Sequence, residues 1–350
     1  MKTTVRTGLI CGALLLLLGT GVPQLVHADT ATADTTTTST TANSDVNSDS
    51  SSDDSGSAVQ TKALSKPYVA YGAGLASEDK DAVAKALGVQ SNYQSLTVTG
   101  SDYATYINSA GTTDASMISS VSLAPADPGS GVKVNIAQYN GADNITQVTS
   151  QQYAMVATMA GVKDVIITVT ADKAVSGESA LTGVYKALAA DGLTLNQQNT
   201  QAANSVLEAT QPAINQNSSD KKYPGKLMSA VGDVSSDLAK KRQDDNQYAT
   251  KAEIKQMLDE ALAKQGIQSQ TSTTVINQLV VALSAVQKAP VSSTSSYVDN
   301  AKQVANNLKN SVGDSMAKIK DFASSADTSG IMGFLNRIWQ AIVNFFTNLF

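Results

Sequence analysis

Between Tyr68 and Gly192 short apolar runs alternate with polar breaks, and each run has the length of one secondary-structure element. YVAYG, Tyr68 to Gly72, has strand composition and ends in glycine. Ser77 stands where it can cap a helix from Glu78 to Leu87, with Ala82, Val83, Ala86 and Leu87 as its apolar stripe and Gly88 as its stop. YQSLTVT, Tyr93 to Thr99, predicts a second strand, and SDYATYIN, Ser101 to Asn108, a short helix. ISSVSLA and VKVNIAQ are β-rich runs separated by PADPGSG, which predicts an antiparallel pair. Thr149 or Ser150 can cap a helix through Ala160 that Gly161 ends. DVIITVT, Asp164 to Thr170, carries the continuous β-branched run of a strand buried on both faces. A helix from Glu178 to Ala190 turns Ala180, Leu181, Val184 and Leu188 inward and stops at Asp191-Gly192.

The period changes after Leu195. Leu227, Val231, Val234 and Leu238 form one helical stripe; Ile254, Met257, Leu258, Ala261 and Leu262 form another; Val275, Ile276, Leu279, Leu283 and Val286 form a third. From Tyr297 the pattern is heptad-like, with Val298, Ala301, Ala305, Leu308, Val312, Ser315, Ile319 and Phe322 at a and d. The expected fold class is α/β, a mixed sheet with flanking helices over 67–192, followed by an α-helical region over 193–328.

The two ends differ from this interior. Lys2 and Arg6, the Leu14 to Leu18 run and Val26-His27-Ala28 describe a secretory signal peptide over residues 1–28. Residues 29–66 are mostly Thr, Ser, Asp, Ala and Asn, and predict a disordered spacer because they have too little to bury. Cleavage after Ala28 would remove Cys11 and His27, the only cysteine and histidine. The mature chain then has no Ser-His-Asp or Cys-His nucleophilic site, no His/Cys zinc site and no disulfide. Losing Lys2 and Arg6 from 25 basic residues leaves 23 against 30 acidic ones, a formal charge of −7. That balance argues against a nucleic-acid partner and against electrostatic attraction to anionic lipid.

One stretch is more distinctive than a generic α/β pattern. NITQVTSQQYAMVATMAGVKDVIITVTADKAVSGESALTGVYKAL, Asn144 to Leu188, together with YVAYGAGLASEDKDAVAKALGV near the start of the fold, resembles the YpuA-like family of exported Gram-positive proteins, a domain-of-unknown-function family. The resemblance implies an extracellular address and covers roughly Tyr68 to Gly192, extending into the helical region. It carries over no activity, cofactor or catalytic residue.

The strongest local site candidate is AVSGESALTG, Ala174 to Gly183. Ser176, Gly177, Glu178 and Ser179 follow the most buried strand and open a helix. They should therefore lie at the carboxyl edge of the sheet, where α/β domains bind ligands and free helix amides suit anionic or hydroxylated groups. The plainer reading makes Ser176 an N-cap, Glu178 a dipole partner and Gly183 a packing glycine. YGAGLAS has G-x-G after a strand, but Ser77 replaces the third glycine and no acidic residue follows at the nucleotide-binding offset. Ser-x-x-Lys spacings at Ser77, Ser130 and Ser315 lack the companion motifs of a serine-lysine hydrolase. Scattered carboxylates leave a glycan- or peptide-hydrolase reading open as the alternative to a non-enzymatic envelope module. No metal or cofactor is expected.

The last twenty residues, IMGFLNRIWQAIVNFFTNLF, hold the only tryptophan and four of the five phenylalanines. Over 329–350 an amphipathic helix is predicted, with Asn336, Arg337, Gln340, Asn344, Thr347 and Asn348 on an arc of about 120°. Phe334, Leu335, Ile338, Trp339, Ile342, Phe345, Phe346 and Leu349 then form a wide apolar face. A membrane-spanning reading would place Arg337 inside at about 2.5–3.5 kcal/mol. The face is expected to be covered by the protein's own helices, a second copy of the chain, a protein partner or a membrane surface.

Overall fold

The computed structural model describes residues 63–107, 109–193 and 195–316. The sheet has five strands: β1 (Tyr68–Gly72), β2 (Gln94–Val98), β3 (Ser120–Pro125), β4 (Val132–Ile136) and β5 (Val165–Thr170), in the order β2-β1-β3-β5-β4. β1 pairs parallel with β2, Tyr68 opposite Gln94, and β4 pairs parallel with β5, Val132 opposite Val165. β3 runs against both neighbours, with Val121 opposite Ala70 and Val169.

The expected mixed sheet is therefore present, but the expected β3–β4 pair is not. The all-buried run VIITVT of β5 lies between those strands, where its two edges and both faces are covered. A turn-rich linker joins β3 and β4 without making them neighbours, because the strand with most apolar surface takes the interior position.

Helices α1 (Lys80–Ala86), α2 (Gly100–Ile107), α3 (Ser150–Met159) and α4 (Glu178–Ala190) flank the sheet. The period-two alternation of β1 sends Val69 and Tyr71 to a cluster with Val83 and Leu87, and Tyr68 and Ala70 to the main core. α4 crosses β1 and β3 through Gly183, where a Cβ would stand 2.6 Å from Val121 Cγ1 and 3.1 Å from Ala70 Cβ. Ser77 does not cap α1: it opens a short 3-10 turn, and no side chain caps either start. Thr149 does cap α3, in a reciprocal capping box with Gln152.

The helical region comprises α5 (Gln197–Gln216), α6 (Tyr223–Asp245), α7 (Lys251–Lys264), α8 (Thr273–Val286) and α9 (Ser295–Lys309). The three expected stripes lie on α6, α7 and α8 and face inward, with Met257 and Ala261 only partly buried. All ten residues of α3 are buried because the sheet lies on one side and α5, α6 and α9 on the others. The apolar core thus runs unbroken from the sheet into the helices. The folded part also starts earlier than Tyr68, since Leu64 is buried and Ser65 donates its amide to Asp191 at 2.9 Å.

The heptad pattern stops being helical at Lys309. Asn310 caps the helix, Gly313 takes φ 72°, and residues 311–316 form a strap that returns to the sheet. Ile136 N donates to Asp314 O at 2.6 Å and Met316 N to Val134 O at 3.0 Å. β4 is an edge strand whose outer amides and carbonyls need partners, and the strap supplies them in place of two further helical turns. Ile319 and Phe322 lie outside the described residues.

Candidate functional site

β1, β2, β4 and β5 point the same way, so their carboxyl ends and the start of β3 form one edge of the sheet. Ser176, Gly177, Glu178 and Ser179 are brought to that edge as expected. The Glu178 carboxylate, the Ser179 hydroxyl and the Ser176 and Gly177 carbonyls are engaged internally. Tyr103 Oη donates to the Glu178 carboxylate at 2.7 Å, and Tyr153 Oη donates to Gly177 O at 2.5 Å. Ser179 Oγ lies 2.5 Å from Ser119 Oγ, which accepts the Ala180 amide at 2.9 Å. Val148 N donates to Ser176 O. Burial, and then the Glu178 charge, push the Tyr103 hydroxyl well above its ordinary range.

Ser176 is not the N-cap of α4. Gly177 occupies that position with φ 107°, and a Cβ there would meet Tyr153 Oη at 2.5 Å and Ile145 Cγ2 at 2.8 Å. The glycine lets the loop turn directly against the buried tyrosine. Ser119, from a distant strand start, supplies the acceptor that a capping side chain would have supplied.

The other side of the same edge is open. A cleft of about 910 Å³ lies between α1, the end of β4, the 138–149 loop, the α5–α6 junction and the strap. Its apolar wall includes Ala82, Ala86, Ile136, Ile214, Pro224 and Val312. Carboxamides and hydroxyls line much of the rest, including Gln138, Gln151 and Asn215. The charged groups are Lys85 and Lys221 against Asp143, Asp220 and Asp314.

The loop at the cleft mouth turns on Asn140 (φ 49°) and Gly141 (φ 83°), the left-handed pair suited to a tight hairpin turn. Tyr139 N and Ala142 N each donate to the other residue's carbonyl, and Tyr139 Oη donates to Asp79 at 2.7 Å, holding the loop beside α1. Across the cleft, Ser150 Oγ and Gln151 Nε2 both donate to Gly313 O, at 3.0 and 2.9 Å, and tie the strap to α3. Asp314 is an exposed residue of the cleft lining; desolvation, then the Asp143 charge, raise its carboxyl above the ordinary range, while Lys221 opposes this. Among the described residues no cluster of three or more metal-ligating side chains occurs.

A scan against family models matches residues 71–304 to the family described as "Protein of unknown function (DUF1002)". The chain belongs to that family. The matched span runs from β1 to α9, so this DUF1002 fold includes both the sheet and the helical region. A relative within it is "Uncharacterized protein YpuA" of Bacillus subtilis (strain 168), 28% identical over 294 residues, which cover 81% of this chain and 91% of that one. The YpuA-like resemblance therefore covers the helical region as well as Tyr68 to Gly192, as expected. No solved structure matches.

The DUF1002 span ends at Val304, before the strap. Sequence reasoning missed the cleft because its lining comes from segments between Ala82 and Ser315, with no local motif. The Asn140-Gly141 turn and the glycine at 313 were the available signals. The predicted contact residues Phe334, Leu335, Ile338, Trp339, Ile342, Phe345, Phe346 and Leu349 lie outside the described residues. Among the described residues no helix is long and apolar enough to cross a membrane.

Proposed function

We propose that this chain is an exported, non-enzymatic envelope protein that binds through the cleft and attaches through residues 329–350 to a membrane surface, with a protein partner as the alternative attachment. Export rests on the charged start, leucine run and Val26-His27-Ala28 of the leader. Attachment rests on the twelve large apolar residues of the last twenty. The observation that carries the binding role is the cleft, whose wall mixes apolar surface with carboxamides and hydroxyls, as ligand-binding concavities do.

Two measurements test this reading. Fractionation of cells producing the chain should place it outside the cytoplasm with a new N-terminus near Asp29; a cytoplasmic chain starting at Met1 contradicts export. The mature chain should sediment with lipid vesicles, and deletion of Gly330 to Phe350 should abolish that. Vesicle binding that survives the deletion contradicts the attachment role.

The hydrolase alternative is favoured by one observation, the placement of Asp143 and Asp314 on the same cleft with Asp314 raised. The pair would act as acid and base there. Glu178, hydrogen-bonded to Tyr103, is the poorer candidate. Turnover of a wall glycan or peptide by the mature chain, lost in Asp314→Asn, would establish the enzyme and displace the binding reading.

A further inference from the structure

The described chain ends at Met316, on the outer edge of β4, one residue past the strap residues that line the cleft. Beyond it the thirteen residues 317–329 precede the apolar segment 330–350. A linker of that length spans about 20 Å as a flexible coil and roughly 45 Å when extended. The segment is therefore tethered within reach of the cleft, at an effective concentration on the order of millimolar.

The cleft and the segment are also chemically matched. Val312 is one of three large apolar side chains exposed among the described residues, at 38%, and it lies on the cleft wall with Ile136, Ile214 and Pro224. The segment offers Phe334, Ile338, Trp339 and Ile342 at helical spacing on one face. Arg337 is its only charged side chain, and the cleft holds three carboxyls, Asp143, Asp220 and Asp314, against two lysines. A guanidinium among those carboxyls would meet opposite charge.

We infer that in the lipid-free monomer the apolar face of residues 330–350 docks into its own chain's cleft, so that cleft and attachment segment cover one another. The docking is intramolecular and does not depend on the proposed envelope role. If that role also holds, membrane and cleft compete for the same side chains.

Trp339, the only tryptophan, reports the docking without a label. The test uses the mature full-length chain without lipid, diluted to where sedimentation shows a monomer. Docking predicts blue-shifted emission and strong protection from acrylamide. In a variant carrying both Val312→Glu and Ala86→Glu, neither of them a fully buried position, emission should move red and quenching should rise several-fold. Far-UV circular dichroism checks that the double variant has kept its fold. A second measurement is independent of that variant: a chain deleted for Gly330 to Phe350 should bind anilinonaphthalene sulfonate several-fold more strongly than the full chain. Water-exposed Trp339 emission in the wild-type monomer overturns the inference. So does blue emission unmoved in the folded double variant, or dye binding unchanged by the deletion. Vesicle sedimentation is scored separately, so loss of docking and loss of membrane binding are distinct results.

Discussion

The two halves of the sheet's carboxyl edge have opposite fates. Around the start of α4 the protein completes its own chemistry: Ser119 receives a helix amide, Tyr103 binds Glu178, and Tyr153 closes on Gly177. Around the end of β4 the chain instead leaves a cleft of about 910 Å³ and uses a strap of six residues to seal only the strand edge beneath it. Both regions have a helix start, glycines and carboxyls. What separates them is whether a distant segment reaches in to satisfy the polar groups, so a helix N-terminus after a buried strand is a ligand site only when the rest of the fold leaves it unfilled.

If the α4 side is structural, removing its fillers should cost folding stability. Tyr153→Ala deletes a side chain 1% exposed that packs among α3, α4 and the sheet, and should lower stability by about 3–5 kcal/mol in denaturant unfolding. Gly183→Leu forces a branched side chain against Val121 and Ala70 and should cost roughly 1–3 kcal/mol. Tyr103→Phe removes one hydrogen bond to a part-buried carboxylate and should cost about 1 kcal/mol. If the Tyr153 and Tyr103 substitutions were both neutral, the contrast between the two sides would collapse.

Two carboxyls sharpen the comparison through pH. Partial desolvation at the cleft, and then the Asp143 charge, raise Asp314, so the folded state holds its proton more tightly than the unfolded chain. Its effect on stability is most favourable below the unfolded carboxylate range and fades as pH rises through its own raised range. Asp314→Asn should therefore flatten the decline in melting temperature between about pH 4 and pH 7. Glu253 has the opposite sign: backbone and side-chain hydrogen bonds from Thr250, then Lys241, hold it down at about 2. Its contribution is present above the unfolded value and lost as pH falls toward about 2. The melting-temperature gap between wild type and Glu253→Gln should accordingly shrink with acid.

The elements of the sheet half were legible because their signals are local. The β-branched run of β5, the Thr149 capping box and the Asp191-Gly192 stop are each carried by a few adjacent residues. Strand order was not legible: the turn between β3 and β4 has hairpin chemistry, yet burial of β5 decides the pairing. α5 does bury an apolar face, Ala202, Ala203, Val206, Leu207, Ala213 and Ile214, but small alanines and interleaved buried polar residues made its stripe hard to read. Asn199 accepts the Val291 amide, Asn204 bridges Tyr185 and Tyr106, and Thr210 bonds back to its own helix. The heptad pattern misled past Lys309, since the demand of the β4 edge for partners is invisible in the 297–322 sequence itself. The candidate site divided the same way, with residues 176–179 placed well by local pattern and the cleft hidden by its many origins.

Hydrogen exchange by mass spectrometry, comparing the mature chain with its Gly330 to Phe350 deletion, tests most directly that the β4 side is the working side and the α4 side is structural. Faster exchange after deletion should be confined to the cleft segments around Lys85, Ile136 to Asn140, Ile214 to Pro224 and Val312 to Ser315, leaving Ser176 to Gly183 as protected as before. Faster exchange at Ser176 to Gly183, or no change at the cleft, would contradict the account.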